Sequence, residues 1–166
     1  MYFSVFIFGL DICSYLLTYD ASICQFQVLQ VYGSLAIPPG NGARFGDWPM
    51  YARASHEFHG KEWYSSIAIQ MEDVGEEERT SYGQLHLLFR CSLLDVERNK
   101  VTKYLALVRM YHYVRFNTTV ECVELKWLET QTKAYVVIET TFILKVVQVV
   151  PHFVKVGFFF LNSFKF

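Results

Sequence analysis

The sequence lacks the short motifs that identify the commonest catalytic and nucleotide-binding sites. It contains no Gly-x-Ser-x-Gly nucleophile motif, no phosphate-binding Gly-Lys-Ser/Thr and no Gly-x-Gly-x-x-Gly fingerprint. A serine nucleophile of that type and a glycine-rich phosphate cradle therefore have no support. We predict a non-enzymatic protein with no catalytic residue, no cofactor and no small-molecule substrate.

Cysteine and histidine are present but lack the spacing of a metal site. The cysteines form no Cys-x-x-Cys pair, and His56 and His59 are three residues apart rather than the four of a zinc-binding helix. On a strand, residues three apart point to opposite faces. We predict no metal site and expect the cysteines to be reduced thiols. The cysteines are Cys13, Cys24, Cys91 and Cys122.

Basic residues are absent from residues 1–43, and the first is Arg44. Residues 2–19 are almost wholly apolar, interrupted by Asp11. A signal peptide should begin with a basic region, and an Asp near the centre of a spanning helix costs about 2.5–3.5 kcal/mol. A signal or anchor, a buried element and an extension outside the functional domain all stay open. We treat residues 1–43 as an apolar N-terminal extension of unclear status.

Large apolar side chains, by contrast, are abundant. Hydrophobic residues form 52% of the chain and aromatic residues 17%. So much apolar surface excludes a disordered chain, and β-branched and aromatic side chains favour strands. The formal charge of −1 gives no general attraction to a phosphate backbone, so a nucleic-acid contact would need a local basic patch.

Alternating hydrophobic patterns follow a Pro- and Gly-rich loop at residues 37–49 and predict a β-rich domain over residues 44–166. Residues 63–71 and 84–91 predict the two arms of a hairpin. The acidic residues within 72–78 are expected at its solvated tip, because their spacing does not match a calcium loop. One apolar face is expected on the second arm, formed by Leu85, Leu87, Phe89 and Cys91.

The remaining strands complete an all-β prediction. Residues 104–114 carry large side chains on both faces, which indicates a central strand. Further strands are predicted at residues 119–127, 134–138 and 144–150. We predict about five to seven strands in a small antiparallel, partly open barrel.

Aromatic residues in or beside these strands are the strongest functional lead. Rings beside carboxylates can bind cationic side chains, and rings beside arginine can stack nucleic-acid bases. Packing in the core or at the rim of a barrel is the alternative for the same rings. The candidate partner-binding residues are Trp63, Tyr64, Arg109, Tyr111, Tyr113 and Trp127.

The order of segments resembles the BAH-like β-barrel domain of proteins encoded by fungal transposable elements. The resemblance covers residues 44–166 and depends on Tyr-Gly-Gln-Leu-His-Leu-Leu-Phe at 82–89 and Leu-Ala-Leu-Val-Arg-Met-Tyr at 105–111. Met110 stands where the family pattern has Trp. The apolar segment at 149–153 and the ending at 160–164 are similar to the closing strands of that family. The resemblance implies recognition of proteins or chromatin without catalysis, in the nucleus or cytoplasm.

Three hypotheses follow. The first is a protein-interaction domain, derived from a transposable element, whose partner is a histone or another chromatin component. The second is a nucleic-acid-binding module that uses Arg90, Arg109 and Arg115 beside Tyr111 and Tyr113. The third is a secreted or membrane-attached protein directed by residues 2–19; otherwise a membrane is not expected as a partner.

Overall fold

The computed structural model describes residues 30–39, 48–71, 79–94, 99–129 and 134–162. No α-helix occurs within these ranges, and the predicted all-β fold is confirmed. The strands are β1 (Gln30–Tyr32), β2 (Ser34–Ile37), β3 (Met50–Phe58), β4 (Lys61–Tyr64), β5 (Ser66–Met71), β6 (Arg79–Leu94), β7 (Lys100–Asn117), β8 (Cys122–Trp127), β9 (Tyr135–Glu139), β10 (Ile143–Pro151) and β11 (Phe158–Asn162). A 3-10 turn, Thr140–Phe142, joins β9 to β10.

The strands form two antiparallel sheets. The larger has eight strands in the order β1-β6-β5-β10-β11-β8-β7-β9, with an additional pairing between β6 and β7. This pairing joins strands that are distant in that order, because both are long enough to pair with different neighbours along their length. The sheet is therefore partly ring-like but is not a barrel, so the predicted barrel is present only as this partial ring. The smaller sheet has the order β2-β3-β4.

The number of strands exceeds the predicted five to seven, in part because residues 63–71 form two strands rather than one. The chain changes sheet at the buried Ser65, whose backbone N–H donates to the Arg53 carbonyl at 2.9 Å. The Ser65 carbonyl accepts from the Leu85 N–H, also at 2.9 Å. One strand thus pairs first with β3, as β4, and then with β6 and β10, as β5. Strands β3 and β11, which alternation did not predict, raise the observed number further.

Strands β1 and β2 lie before the predicted domain start at Arg44. Strand β1 pairs with β6, β2 pairs with β3, and Ile37 is buried in the core. The packed structure therefore reaches back at least to Gln30. The apolar residues 2–19, Cys13 and Cys24 fall outside the described residues. A helix long and apolar enough to cross a membrane is not found in the described ranges.

The core is divided between the two faces of β6 and β7. Leu85 and Leu88 pack in one cluster, whereas Phe89 and Cys91 pack in another, with Leu87 against it. The register of β6 on β7 shifts between Leu85 and Leu87, and this β-bulge reverses the alternation of the side chains. The prediction that Leu85 shares a face with the other three residues is therefore wrong.

Other predictions from alternation are confirmed. Strands β5 and β6 form the expected hairpin, with Ser66 opposite Gln84 and Met71 opposite Arg79. Its acidic tip, residues 72–78, is outside the described ranges. The predicted central strand is β7, which has β6 on one side and β8 and β9 as its other partners. The strands predicted at residues 119–127, 134–138 and 144–150 correspond to β8, β9 and β10.

Candidate functional site: an aromatic ladder and an open cleft

A continuous series of rings crosses the strands at one end of the larger sheet. The Arg109 guanidinium lies over the Trp127 ring, 4.1 Å from its centroid. Tyr111 stacks on the same indole at 4.4 Å, and Phe159 contacts both rings edge-on. The register explains the stack, because Tyr111 of β7 lies directly opposite Trp127 of β8.

The series continues from Arg109 toward the smaller sheet. Arg109 lies 6.0 Å from the Tyr135 ring centroid, and Tyr135 meets the edge of His86 at 5.4 Å. His86 stacks on Tyr64 at 4.9 Å. We call this set the aromatic ladder; its members are Tyr64, His86, Tyr135, Arg109, Trp127, Tyr111 and Phe159.

The environment of the ladder determines the hydrogen bonding and protonation of its polar side chains. Burial raises the pKa of Tyr111, whose hydroxyl hydrogen-bonds the Ser66 hydroxyl at 3.3 Å. Burial, and then the positive charge of Arg109, lower the pKa of His86 below its ordinary value of 6.5, which favours the neutral imidazole. Arg109 forms no ion pair with a described carboxylate, and its buried Nε has no hydrogen-bond partner.

This geometry limits what the ladder can bind. The ring of Trp127 already contacts the Arg109 guanidinium and stacks on Tyr111. A ligand cation on this indole would meet the like charge of Arg109, so a methyl-lysine cage has no suitable ring face here. The ladder is a packed feature that stabilises the junction of β7, β8 and β11.

An open cleft of about 910 Å³ lies between the β3–β4 hairpin and β10. Its walls are aromatic and aliphatic, with β10 residues 145–149 on one side. Tyr51 is 56% exposed and Trp63 is 49% exposed, so about half of each side chain is accessible to a ligand. The residues most relevant to binding are Met50, Tyr51, Trp63, Tyr64, Tyr82 and Lys145.

The electrostatics of the cleft differ from those of a cation-binding cage. Among the described residues that line it, Lys145 is the one charged residue and none is a carboxylate. Gln148 and Asn162, at the other end, are joined by a hydrogen bond of 2.9 Å. The Arg53 guanidinium approaches the Trp63 ring at 5.5 Å. The cleft therefore combines an apolar floor with positive charge.

The structure divides the six predicted site residues into three groups. Arg109, Tyr111 and Trp127 belong to the ladder. Trp63 lines the cleft, and Tyr64 contributes to both, since it lines the cleft and stacks on His86. Tyr113 is exposed and lies apart, opposite Leu125 on β8.

Several residues of the cleft and ladder were not predicted from the sequence. Met50 and Tyr51 directly follow Pro49, at the end of a segment interpreted as a loop. Lys145 lies in a strand that was predicted, but only as part of the fold. A Met-Tyr pair immediately after the loop, followed by alternating residues to His56, is the signal that would have revealed β3 and its exposed ring.

The histidine pair occupies a hairpin. His59 and Gly60 form the tight β3–β4 turn with φ of 52° and 76°, and His56 Nδ1 lies 3.1 Å from a Glu62 carboxylate oxygen across the hairpin. The part of the chain that the structure describes contains no group of three or more potential metal ligands.

Comparison of the chain with protein-family models, curated proteins and solved structures finds no match. The resemblance to BAH-like domains accordingly depends on the quoted sequence segments alone.

Proposed function

We propose that this chain is a non-enzymatic protein-interaction domain that binds an extended segment of a partner protein in the cleft. The observation that carries the proposal is the cleft itself, where Met50, Tyr51 and Trp63 expose large apolar surfaces to solvent on neighbouring strands. Exposed aromatic anchors grouped in a concave site are typical of protein-binding hot spots.

The edge of the smaller sheet favours an extended ligand. Strand β4 pairs with β3 and with no other described strand, and its Trp63 and Tyr64 line the cleft. An extended segment beside β4 could add a strand to the sheet, with backbone hydrogen bonds for affinity and aromatic contacts for specificity. Lys61 and Glu62 are exposed on the same strand, and such charges oppose indiscriminate pairing of edges.

The charge of the cleft indicates which segments fit. Lys145 would attract a carboxylate and repel a lysine-rich tail, because no carboxylate of the described part of the chain lines the cleft to compensate its charge. We infer an acidic or neutral segment with apolar anchors. The BAH-like resemblance supports a chromatin-associated partner, and hence a nuclear or cytoplasmic setting and a transposable-element origin. Within that class, an acidic region of a chromatin protein fits the cleft better than a basic histone tail.

Nucleic-acid binding has less support from the geometry. Tyr111 is buried, so its ring is not available to stack on a base. Arg115 donates to the Glu124 carboxylate at 2.8 Å, which neutralises part of its charge. The geometry therefore supports protein binding better than nucleic-acid binding.

Selection of peptides from a display library with the full chain tests the proposal. The double variant Tyr51→Ala/Trp63→Ala removes the two exposed rings of the cleft. We expect the selected peptides to lose about tenfold or more in affinity, because truncated aromatic anchors commonly cost this much. The charge variant Lys145→Glu should weaken acidic peptides selectively.

The matched control is Tyr113→Ala/Phe116→Ala, which removes two similarly exposed rings from β7. It should leave the affinity unchanged. Failure to enrich any peptide, or an equal loss in the control variant, would contradict the assignment of the cleft.

A further inference from the structure

The turn between β10 and β11, residues 152–157, projects an apolar tip into solvent. Phe153 is 93% exposed, Val154 85% and Val156 99%. These are the most exposed large apolar residues of the described chain together with Trp48. Single exposed apolar residues are common on protein surfaces, whereas a group of them at one point is typical of a contact surface.

The shape of this turn is fixed by hydrogen bonds. The His152 Nδ1 accepts from the backbone N–H groups of Val154 and Lys155, both at 3.1 Å. The backbone N–H of His152 donates to the Phe158 carbonyl at 2.8 Å. Its ring stacks on Phe160 at 4.8 Å, and Gly157 provides the positive φ of 79° that closes the turn. A turn that is already ordered loses less conformational entropy on binding.

The Lys155 ammonium group lies away from the apolar tip. Its ammonium donates to a Glu124 carboxylate oxygen at 3.3 Å and lies 5.3 Å from the Phe158 ring centroid. The charge is therefore at the base of the turn, and the three apolar side chains form the tip without it.

The sheet face below the turn is positively charged. Lys126 lies directly opposite Phe158 on β11 and His112 on β7, and Arg115 lies opposite Glu124. Side chains directly opposite in a sheet share a face. Among the described residues of this face, Arg115 and Lys155 share the single buried carboxylate of Glu124, and Lys126 forms no ion pair with a described carboxylate, so a net positive charge remains. Glu121 and Glu129 lie beyond the two ends of β8.

We propose that the 152–157 turn is a peripheral anchor that inserts its apolar tip into the interface of an anionic lipid bilayer. An apolar tip above the basic residues Arg115, Lys126 and Lys155 matches a membrane surface. The acyl chains would take up the tip, and the anionic headgroups would attract the basic residues. This contact needs no spanning segment and does not depend on the cleft. It gives the domain a second surface, on a different set of strands from the β3–β4 wall of the peptide cleft.

Sedimentation of the full chain with vesicles tests the proposal. The vesicles are phosphatidylcholine alone and phosphatidylcholine mixed with phosphatidylserine. We expect binding to the anionic vesicles that weakens with added salt, and little binding to phosphatidylcholine alone. Phe153→Ser/Val154→Ser/Val156→Ser should reduce the binding about tenfold or more, and Lys126→Glu should reduce it less.

The control Phe116→Ser/Val120→Ser/Leu144→Ser removes three other exposed apolar residues and should bind like the unchanged chain. Tyr51→Ala/Trp63→Ala should also retain vesicle binding, which separates this proposal from peptide recognition. Absence of binding to anionic vesicles at low salt would overturn the proposal, and so would equal binding by the turn variant or equal binding to both vesicle types. Loss of a protein partner by the turn variant, without any vesicle binding, would reassign the turn to a protein contact.

Discussion

The aromatic ladder and the cleft contain similar residues, share Tyr64, and differ in what their rings contact. In the ladder, Trp127 is covered by Arg109 on one side and Tyr111 on another, at 4.1 and 4.4 Å. In the cleft, Trp63 has a more distant guanidinium at 5.5 Å and is about half exposed. An aromatic ring on a strand is thus structural or available according to its cross-strand neighbours.

The difference follows from the arrangement of the strands. Trp127 lies on β8, which is paired on both sides by β7 and β11, and each of these contributes a ring to the stack. Trp63 lies on β4, which has only β3 beside it among the described strands. A ring on a central strand is enclosed by its neighbours, whereas a ring on an edge strand has open space for a partner.

Removing each indole should separate the two regions most clearly. We expect Trp127→Ala to lower the free energy of unfolding by about 3 kcal/mol, near the lower end for tryptophan because a minor part of the side chain is exposed to solvent. Trp63→Ala should change it by less than about 1 kcal/mol, as for other exposed positions. Urea denaturation of both variants measures this. Equal losses would mean that Trp63 is also structural.

The glycine beneath the ladder gives the next largest effect. A Cβ at Gly83 would clash with Val108 Cγ1 and would lie 2.9 Å from the Arg109 carbonyl oxygen. Gly83→Ala should therefore displace the backbone that carries Arg109 and lower stability by about 2 kcal/mol. The change in melting temperature, with near-ultraviolet circular dichroism of the ladder rings, reports it.

Gly33→Ala is the matched control, because a Cβ there would meet nothing within 4 Å. It should leave the melting temperature nearly unchanged. If Gly83→Ala is equally mild, the close approach of β6 and β7 is not required, and the ladder is more tolerant than its geometry indicates.

The parts of the fold that were predicted are those in which one local pattern covers a whole strand. The hairpin of β5 and β6 and the central strand β7 follow directly from alternation and from large residues on both faces. Two local irregularities were not predictable, because alternation continues through them: the change of sheet at Ser65 and the bulge between Leu85 and Leu87. Both depend on pairing with distant segments.

The same limit explains the outcome for the site. Residue type led to the selection of both Arg109 and Trp127, yet their contact depends on the register of β8 against β7. The register of β9 places Tyr135 opposite Arg109. The open cleft depends on the approach of β3, β4 and β10, whose residues are far apart in the chain. Lys145 has no distinguishing sequence context, so its position in the cleft required the fold.

The smallest of the expected effects is a loss of stability on acidification, which arises in the ladder at His86 and not in the cleft. Burial and the charge of Arg109 lower the pKa of His86 in the fold, and Glu62 opposes them weakly. The unfolded chain therefore binds a proton more readily, so this contribution to stability is complete above pH 6.5 and is lost as the pH falls from 6.5 to the folded pKa.

His86→Phe keeps a ring against Tyr64 and Tyr135 but removes the titration. Denaturation at about pH 7.5 and about pH 5 should show a smaller difference in this variant than in the unchanged chain. An identical difference in the two proteins would assign the acid sensitivity to other groups and leave the neutral state of His86 without a role in the ladder.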